Sequence, residues 1–211
     1  MRSIKSKIFL VVMVSSILIA TIIGVMSISN STKVADSNSK EKLLLKCSQK
    51  KEELDKVISN MEESTKILSE VAIDNLDDIE KFKSDSSYVT EYENKMEKIA
   101  EKFGENTEGI IAFYIRFNPE YTEPTSGIFY SRPDSKSSFE KLVPTDFSQY
   151  SPDDKEHVGW YYTPIEKKEP MWMNPYFNAN TNLYIISYVI PIFKDGETIG
   201  VVGMLSLIHI F

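Results

Sequence analysis

Aromatic side chains crowd the second half of the chain: Trp160, Tyr161, Tyr162, Trp172, Tyr176, Phe177, Tyr184 and Tyr188. Rings offer large contact area and a negative face, so a pocket built from them suits small organic molecules, cations above all. The same rings also serve as ordinary core in a domain of this size. Arg116 and Arg132 are the arginines beyond Arg2, and both fall in stretches patterned as strands. Arg116, between Ile115 and Phe117, either reaches a cavity and grips a carboxylate or forms an edge contact or structural ion pair. Catalytic patterns are weak. His157 and His209 are the two histidines, which leaves little for a histidine-based site. The lone Cys47 has no partner for an internal disulfide, and no Cys/His spacing suits zinc. Asp153 with Asp154, or Glu166 with Glu169, could serve a membrane-anchored hydrolase. Adjacent carboxylates on a loop are poor evidence for one, and no Gly-x-Ser-x-Gly, His-Glu-x-x-His or phosphate loop occurs. The expectation is a binding module without catalytic residue, metal or cofactor.

The elements that hold these residues begin at the N-terminus. Arg2, Lys5 and Lys7 precede an uncharged run from Ile8 to Ile28. At 1.5 Å rise per residue this run spans roughly 30 Å, the hydrocarbon thickness of a bilayer. Cations before the run and no acid until Asp36 predict a cytoplasmic stretch at 1–7, a transmembrane helix at 8–28 and an extracytoplasmic remainder. A cleaved signal peptide is the competing reading, but the run is longer than such apolar regions and no small-x-small site closes it. The net charge of −7 argues against a nucleic-acid partner.

Residues 29–85 read as one long stalk helix. Leu54, Ile58, Met61, Thr65, Leu68, Ala72 and Asn75 alternate four and three apart, a narrow apolar seam. The seam either pairs with its copy in a homodimer or packs on the domain that follows. A second amphipathic helix is expected from Val89 to Phe103, stopped by Gly104. The period then turns extended at 110–117 and 127–132. Residues 133–158 form a long polar excursion, a length common in binding loops. A closing hairpin joins 183–193 to 198–204 through Lys194-Asp195-Gly196-Glu197. The fold class is α+β: a long helix, then an antiparallel sheet flanked by helices.

Taken together, the anchor, the long helix, Arg116-Phe-Asn-Pro119, Gly127-x-Phe129, Gly159-Trp-Tyr-Tyr162, Trp172-x-x-Pro175-Tyr176 and Pro191-Ile-Phe-Lys-Asp-Gly-x-x-Ile-Gly-Val-Val-Gly203 resemble a double-Cache sensor. That family forms the extracytoplasmic ligand-binding regions of bacterial methyl-accepting chemotaxis proteins, sensor histidine kinases and membrane diguanylate cyclases. The resemblance implies a PAS-like Cache sensor domain at 86–204, a small organic ligand, a bacterial membrane and a homodimer through the stalk. It also implies that a chemotaxis output is the first expectation, with kinase or cyclase as alternatives. Trp160 and Tyr176 become pocket walls, with Trp172 as a further wall or lid and Tyr162 beside them. Amino-acid-binding members place Arg, Asp and Asp where this chain has Val158, Asn178 and Leu205. Valine cannot replace a bidentate guanidinium, so free α-amino acids are disfavoured and Asn178 suits a neutral or weakly polar ligand. Members continue beyond this point with a membrane-proximal subdomain, a second membrane helix and an output module. Leu205–Ile210 resembles a peptide encoded by a common transposon-library sequencing adapter, so residues 205–211 are expected to be a non-native tail. A natural strand continuation is the alternative.

Overall fold

The computed structural model describes residues 4–134, 136–178 and 182–207, so Arg2 and residues 208–211, with His209, lie outside the described residues. The chain divides into two compact units between Glu53 and Leu54. Helix α1 runs Ile4–Asp74. Within the first unit its apolar stretch is long enough to cross a membrane, and none of that stretch is buried. The Ser15 and Thr21 hydroxyls turn back to the carbonyls of Val12 and Ile17, so these polar groups are satisfied inside the helix.

In the second unit α1 ends at Asp74 rather than running on to 85. A break at 75–78 leads to α2, Ile79–Ser84, whose start is capped by Asp78 accepting from Lys81 N. Asp85 then starts α3, Ser86–Asn106, by accepting from the N–H groups of Ser87 and Tyr88. Side chains that favour caps over helix interiors thus interrupt the run. The seam on α1 is buried against its own domain at Met61, Thr65, Leu68 and Ala72. Tyr92 Oη donates to the Ala72 carbonyl at 2.7 Å, and Lys194 Nζ donates to the carbonyls of Ile73 and Leu76. These seam residues are therefore not available to a second copy.

α3 continues two residues past Gly104, which is not its stop. A Cβ at 104 would run into the Phe113 ring, so glycine is there for close helix–strand approach. Strands β1 Ala112–Phe117, β2 Gly127–Ser131, β3 Glu140–Lys141, β4 Met171–Trp172, β5 Tyr176–Asn178, β6 Leu183–Lys194 and β7 Glu197–Leu207 form one antiparallel sheet. Its order is β3-β2-β1-β7-β6-β4, with β5 also on β6. Side chains alternate across it. Phe113, Ile115, Phe117, Val202 and Met204 face α1 and α3. Tyr114, Val201, Ile185 and Val189 face the opposite layer, which holds the 3-10 turn Phe147–Gln149 and helix α4, Gly159–Lys167. Leu205, Ser206 and Leu207 extend β7 and are buried, with Ile111 N bonded to the Leu205 carbonyl.

α3 is tied to the sheet by charge. Glu97 meets Lys141 at 2.5 Å and accepts from Tyr130 Oη at 2.7 Å. Burial opposes its ionisation, but Lys141 and Tyr130 outweigh that and hold the carboxyl below its ordinary 4.5. The sign follows: this contribution is full above pH 4.5 and is lost as pH falls through the lowered folded-state value. Melting of Glu97→Gln is expected to depend less steeply on pH between about 5 and 3 than melting of the parent. Parallel slopes would show that Glu97 does not contribute to acid unfolding.

Candidate functional site

The site grows from the face of β1 that carries Tyr114 and Arg116. Arg116 is 1 % exposed. Its Nη1 donates to the carbonyls of Thr125 and Ser126 at 2.9 and 2.8 Å, and its Nη2 to Pro124 and Thr145 at 2.9 and 2.8 Å. The guanidinium lies 4.6 Å from the centre of the Phe147 ring. It is not an exposed strand arginine, and among the described residues it is not one half of an ion pair. Burial lowers its pKa to about 10, and Tyr161, Glu93 and Asp146 offset this only through space. Arg116 Nε is buried with no hydrogen-bond partner among the described residues.

Two positions before it, Tyr114 Oη is buried in the same layer. It sits beside Ser187 and Tyr176 yet makes no hydrogen bond of good geometry among the described residues. Burial pushes the Tyr114 hydroxyl well above its ordinary pKa and that of Tyr176 to about 12, so both stay protonated. Tyr176 Oη and Ser187 Oγ are 3.4 Å apart. Tyr114, Arg116, Phe129, Trp160, Tyr176 and Asn178 surround a cavity of about 20 Å³, with Pro144 and Thr145 at its side. That is room for about one water. A second chamber of about 50 Å³ shares Thr145, Trp160, Tyr176 and Asn178 as walls and adds Tyr150, Glu156 and His157. Beyond Trp160 and Tyr176 an open groove of about 870 Å³ runs along α4 and β4–β5.

Trp160 is positioned by a chain of contacts. Its Nε1 donates to the His157 carbonyl at 2.9 Å, and its ring meets Tyr114 edge-on at 5.0 Å. His157 stacks on Tyr150 at 4.9 Å and holds Asp154 at 2.9 Å through Nδ1. Burial raises the Asp154 pKa, but the N–H and ring of His157 bring it below the ordinary carboxylate range. Asp154 is thus a structural partner of His157. Glu166 pairs with Lys155 at 2.5 Å.

Of the residues singled out from sequence, Arg116, Trp160, Tyr176 and Asn178 share the inner cavity. Tyr162 does not line it; its ring packs on Tyr161 and Phe147. Trp172 lines the outer groove, but its ring belongs to the α1 face of the sheet. There it packs on Tyr188 at 5.2 Å and donates from Nε1 to Glu62 of α1 at 2.7 Å. Register explains the split, because Trp172 pairs with Tyr188 while Tyr176 pairs with Ile185. Val158 and Leu205 are buried in apolar contact and offer no polar group. Tyr114, Phe129, Tyr150 and Ser187 were missed. Tyr114 was within reach of sequence reasoning, since the period of a strand puts it on the face of Arg116.

Residues 96–207 match the model of the methyl-accepting chemotaxis protein-like first PDC sensor domain. No curated protein matches the chain. Among solved structures, the chain is similar to the sensory domain of the Campylobacter jejuni chemoreceptor Tlp3 with isoleucine bound. The identity is 16 %, the match covers 75 % of this chain and 54 % of that one, and the TM-score is 0.49. It is also similar to the ligand-binding domain of the Pseudomonas aeruginosa PAO1 amino acid chemoreceptor PctC in complex with GABA, at 12 % identity. That match covers 73 % of this chain and 58 % of that one, with a TM-score of 0.44. The present chain spans little more than half of each of these solved domains.

Proposed function

Because the chain belongs to the methyl-accepting chemotaxis protein-like family of first PDC sensor domains, we propose that it is the extracytoplasmic ligand-binding region of a transmembrane receptor. It is the first of two tandem Cache modules, held in the membrane by residues 8–28 of α1. The observation that carries the reading is the pair of small chambers that share Thr145, Trp160, Tyr176 and Asn178 as walls. A small organic ligand occupies them, Asn178 and Arg116 supply polar contacts, and no catalytic step is assigned. Ligand binding moves the β4–β5 segment, and the Trp172–Glu62 bond carries that displacement to α1. The ligand shifts the equilibrium only by its differential affinity for two arrangements. A chemotaxis output comes first, with histidine kinase or diguanylate cyclase as alternatives. Two copies associate through the part of α1 that the domain leaves uncovered, where Leu43, Leu44 and Leu45 are exposed.

The test is a thermal-shift screen of the full chain in nanodiscs against amino acids, amines, organic acids, purines and sugars. At about 100-fold excess over Kd a binder adds ~2.7 kcal/mol to the folded state. The stabilisation is expected to vanish in Trp160→Ala and Tyr176→Ala. It is expected to persist in Trp172→Phe, which keeps a ring but loses the Nε1–H, while ligand-dependent Cys47–Cys47 cross-linking between copies fades. A cooperative melt that no compound shifts would sink the small-molecule reading in favour of a protein partner.

A further inference from the structure

A separate cavity lies on the other layer of the sheet. It measures about 180 Å³ and is lined by Glu101 and Glu105 of α3, Phe113 of β1, Tyr130 of β2, and Arg132 and Phe139 from the segment between β2 and β3. Phe113, Tyr130 and Phe139 belong to the cluster that faces α1 and α3, so the sheet separates this cavity from the chambers beside Trp160. Both signs of charge line it without pairing. Arg132 donates from Nε and Nη2 to one acceptor, the Ile110 carbonyl, at 3.0 and 2.7 Å. Its Nη1 has no hydrogen bond among the described residues. Asp134 acts on it only through space, and Asp134 Oδ1 already accepts from the N–H groups of Lys136 and Ser137. On the α3 wall, Glu101 and Glu105 have no ion-pair partner among the described residues. The Tyr130 hydroxyl lies beside Glu101, but its single proton goes to Glu97 at 2.7 Å, and Lys141 also pairs with Glu97. Like charges one helical turn apart repel, so this wall stands against a small cost.

We propose that this cavity is a second ligand site, which takes a small zwitterion carrying a primary ammonium and a carboxylate. The ammonium donates to Glu101 and Glu105, the carboxylate accepts from Arg132 Nη1, and the apolar body lies against Phe139 and Tyr130. Charge selects the zwitterion. A simple amine would sit beside the Arg132 guanidinium, and a simple acid would face two carboxylates. The rings select the kind of ammonium. A quaternary ammonium needs open aromatic faces. Here the Arg132 guanidinium covers Phe139 at 4.3 Å, and Phe113 and Tyr130 stack on each other at 5.2 Å. The carboxylates must therefore hold the cation, and they accept from N–H groups. Such a ligand bridges α3 and the β2–β3 segment, so binding ties the helix to the edge of the sheet. The site is independent of the chambers on the opposite layer and does not rest on the sensor reading.

The probes are glycine and L-leucine, each beside its amide, which lacks the carboxylate, and its N-acetyl form, which lacks the ammonium. They are titrated by calorimetry into the full chain in nanodiscs. At least one of the two amino acids is expected to bind, with its amide and its N-acetyl form each about tenfold weaker or more. The double variant Glu101→Gln, Glu105→Gln keeps both side-chain shapes and removes their repulsion. Without ligand it is expected to melt at the same or a higher temperature, while its affinity falls about tenfold. Trp160→Ala is expected to leave this binding in place, which separates it from any compound whose stabilisation vanishes in that variant. An unchanged affinity in the double variant, or an amide that binds as well as its acid, would overturn the proposal whether or not Trp160→Ala folds. If an amino acid binds the parent and the double variant alike but not a folded Trp160→Ala, the sensor reading stands and the second site falls. If neither amino acid binds the parent, the second site falls, and the sensor reading keeps its own test.

Discussion

Arg116→Met is expected to destabilise the second unit by about 3–5 kcal/mol, enough to unfold a domain of ordinary stability or bring it close to unfolding. Methionine fills the space of the alkyl stem, but the carbonyls of Pro124, Thr125, Ser126 and Thr145 lose their donors together. Each orphaned acceptor costs about 1–3 kcal/mol, partly recovered because a buried charge disappears. Loop 124–126 and the irregular segment at Thr145 lie about 20 residues apart in sequence and are joined here by one planar fork. Arg116→Lys keeps the charge but presents three donors from a single point, so it is expected to recover only part of the loss. Urea unfolding of the three proteins checks this, with limited proteolysis as a second readout. Cleavage near 124–126 or 145 should come first in the methionine variant. A methionine variant within about 1 kcal/mol of the parent would show that the loops hold without the clamp.

Gly200→Ala has the second large effect. Gly200 lies in β7 between Phe117 of β1 and Ile192 of β6, next to the register shift at Ile192/Phe193. Its φ is +155°, and an added Cβ would collide with the Arg116 carbonyl. Neither neighbour can yield, because both strands are central and the struck atom is backbone. A loss of about 4 kcal/mol or more is expected, with most of the protein insoluble on expression. Gly196→Ala is the control. Gly196 also has a positive φ, +86°, but its Cβ would meet nothing within 4 Å, so only about 1–2 kcal/mol of backbone strain is at stake. Similar melting temperatures for the two variants would mean that strain, not collision, sets the cost.

Much of the fold was legible because it is written in local periods. The α1 seam, the amphipathic face of α3 and the closing hairpin each show in a short window of sequence, where the spacing of apolar side chains repeats the geometry of one element. Where local signals compete, the reading slipped. Gly104 has the residue type of a helix stop, but its value is the absence of a side chain beneath Phe113, and that neighbour comes from another element. The helix end at Asp74 was hidden because an unbroken charged run reads as helix until a cap is formed.

The site divides in the same way. Trp160, Tyr176, Asn178 and Arg116 were singled out by residue type and by family resemblance, and the structure brings them to one cavity. Trp172 and Tyr162 carry the same kind of ring, yet strand register and helix phase turn them elsewhere. Single sequence windows carry no record of cross-strand register.

What the sequence determined by itself is the apolar span, the order of helices and strands, and the aromatic material for a pocket. Each depends on interactions between residues a few positions apart. Only the tertiary structure decided which face of the sheet each ring occupies and that the α1 seam belongs to its own domain. It also decided that Arg116 ends buried among the carbonyls of Pro124, Thr125, Ser126 and Thr145. These outcomes depend on contacts between segments distant in the chain, whose geometry exists only once the sheet has closed around them.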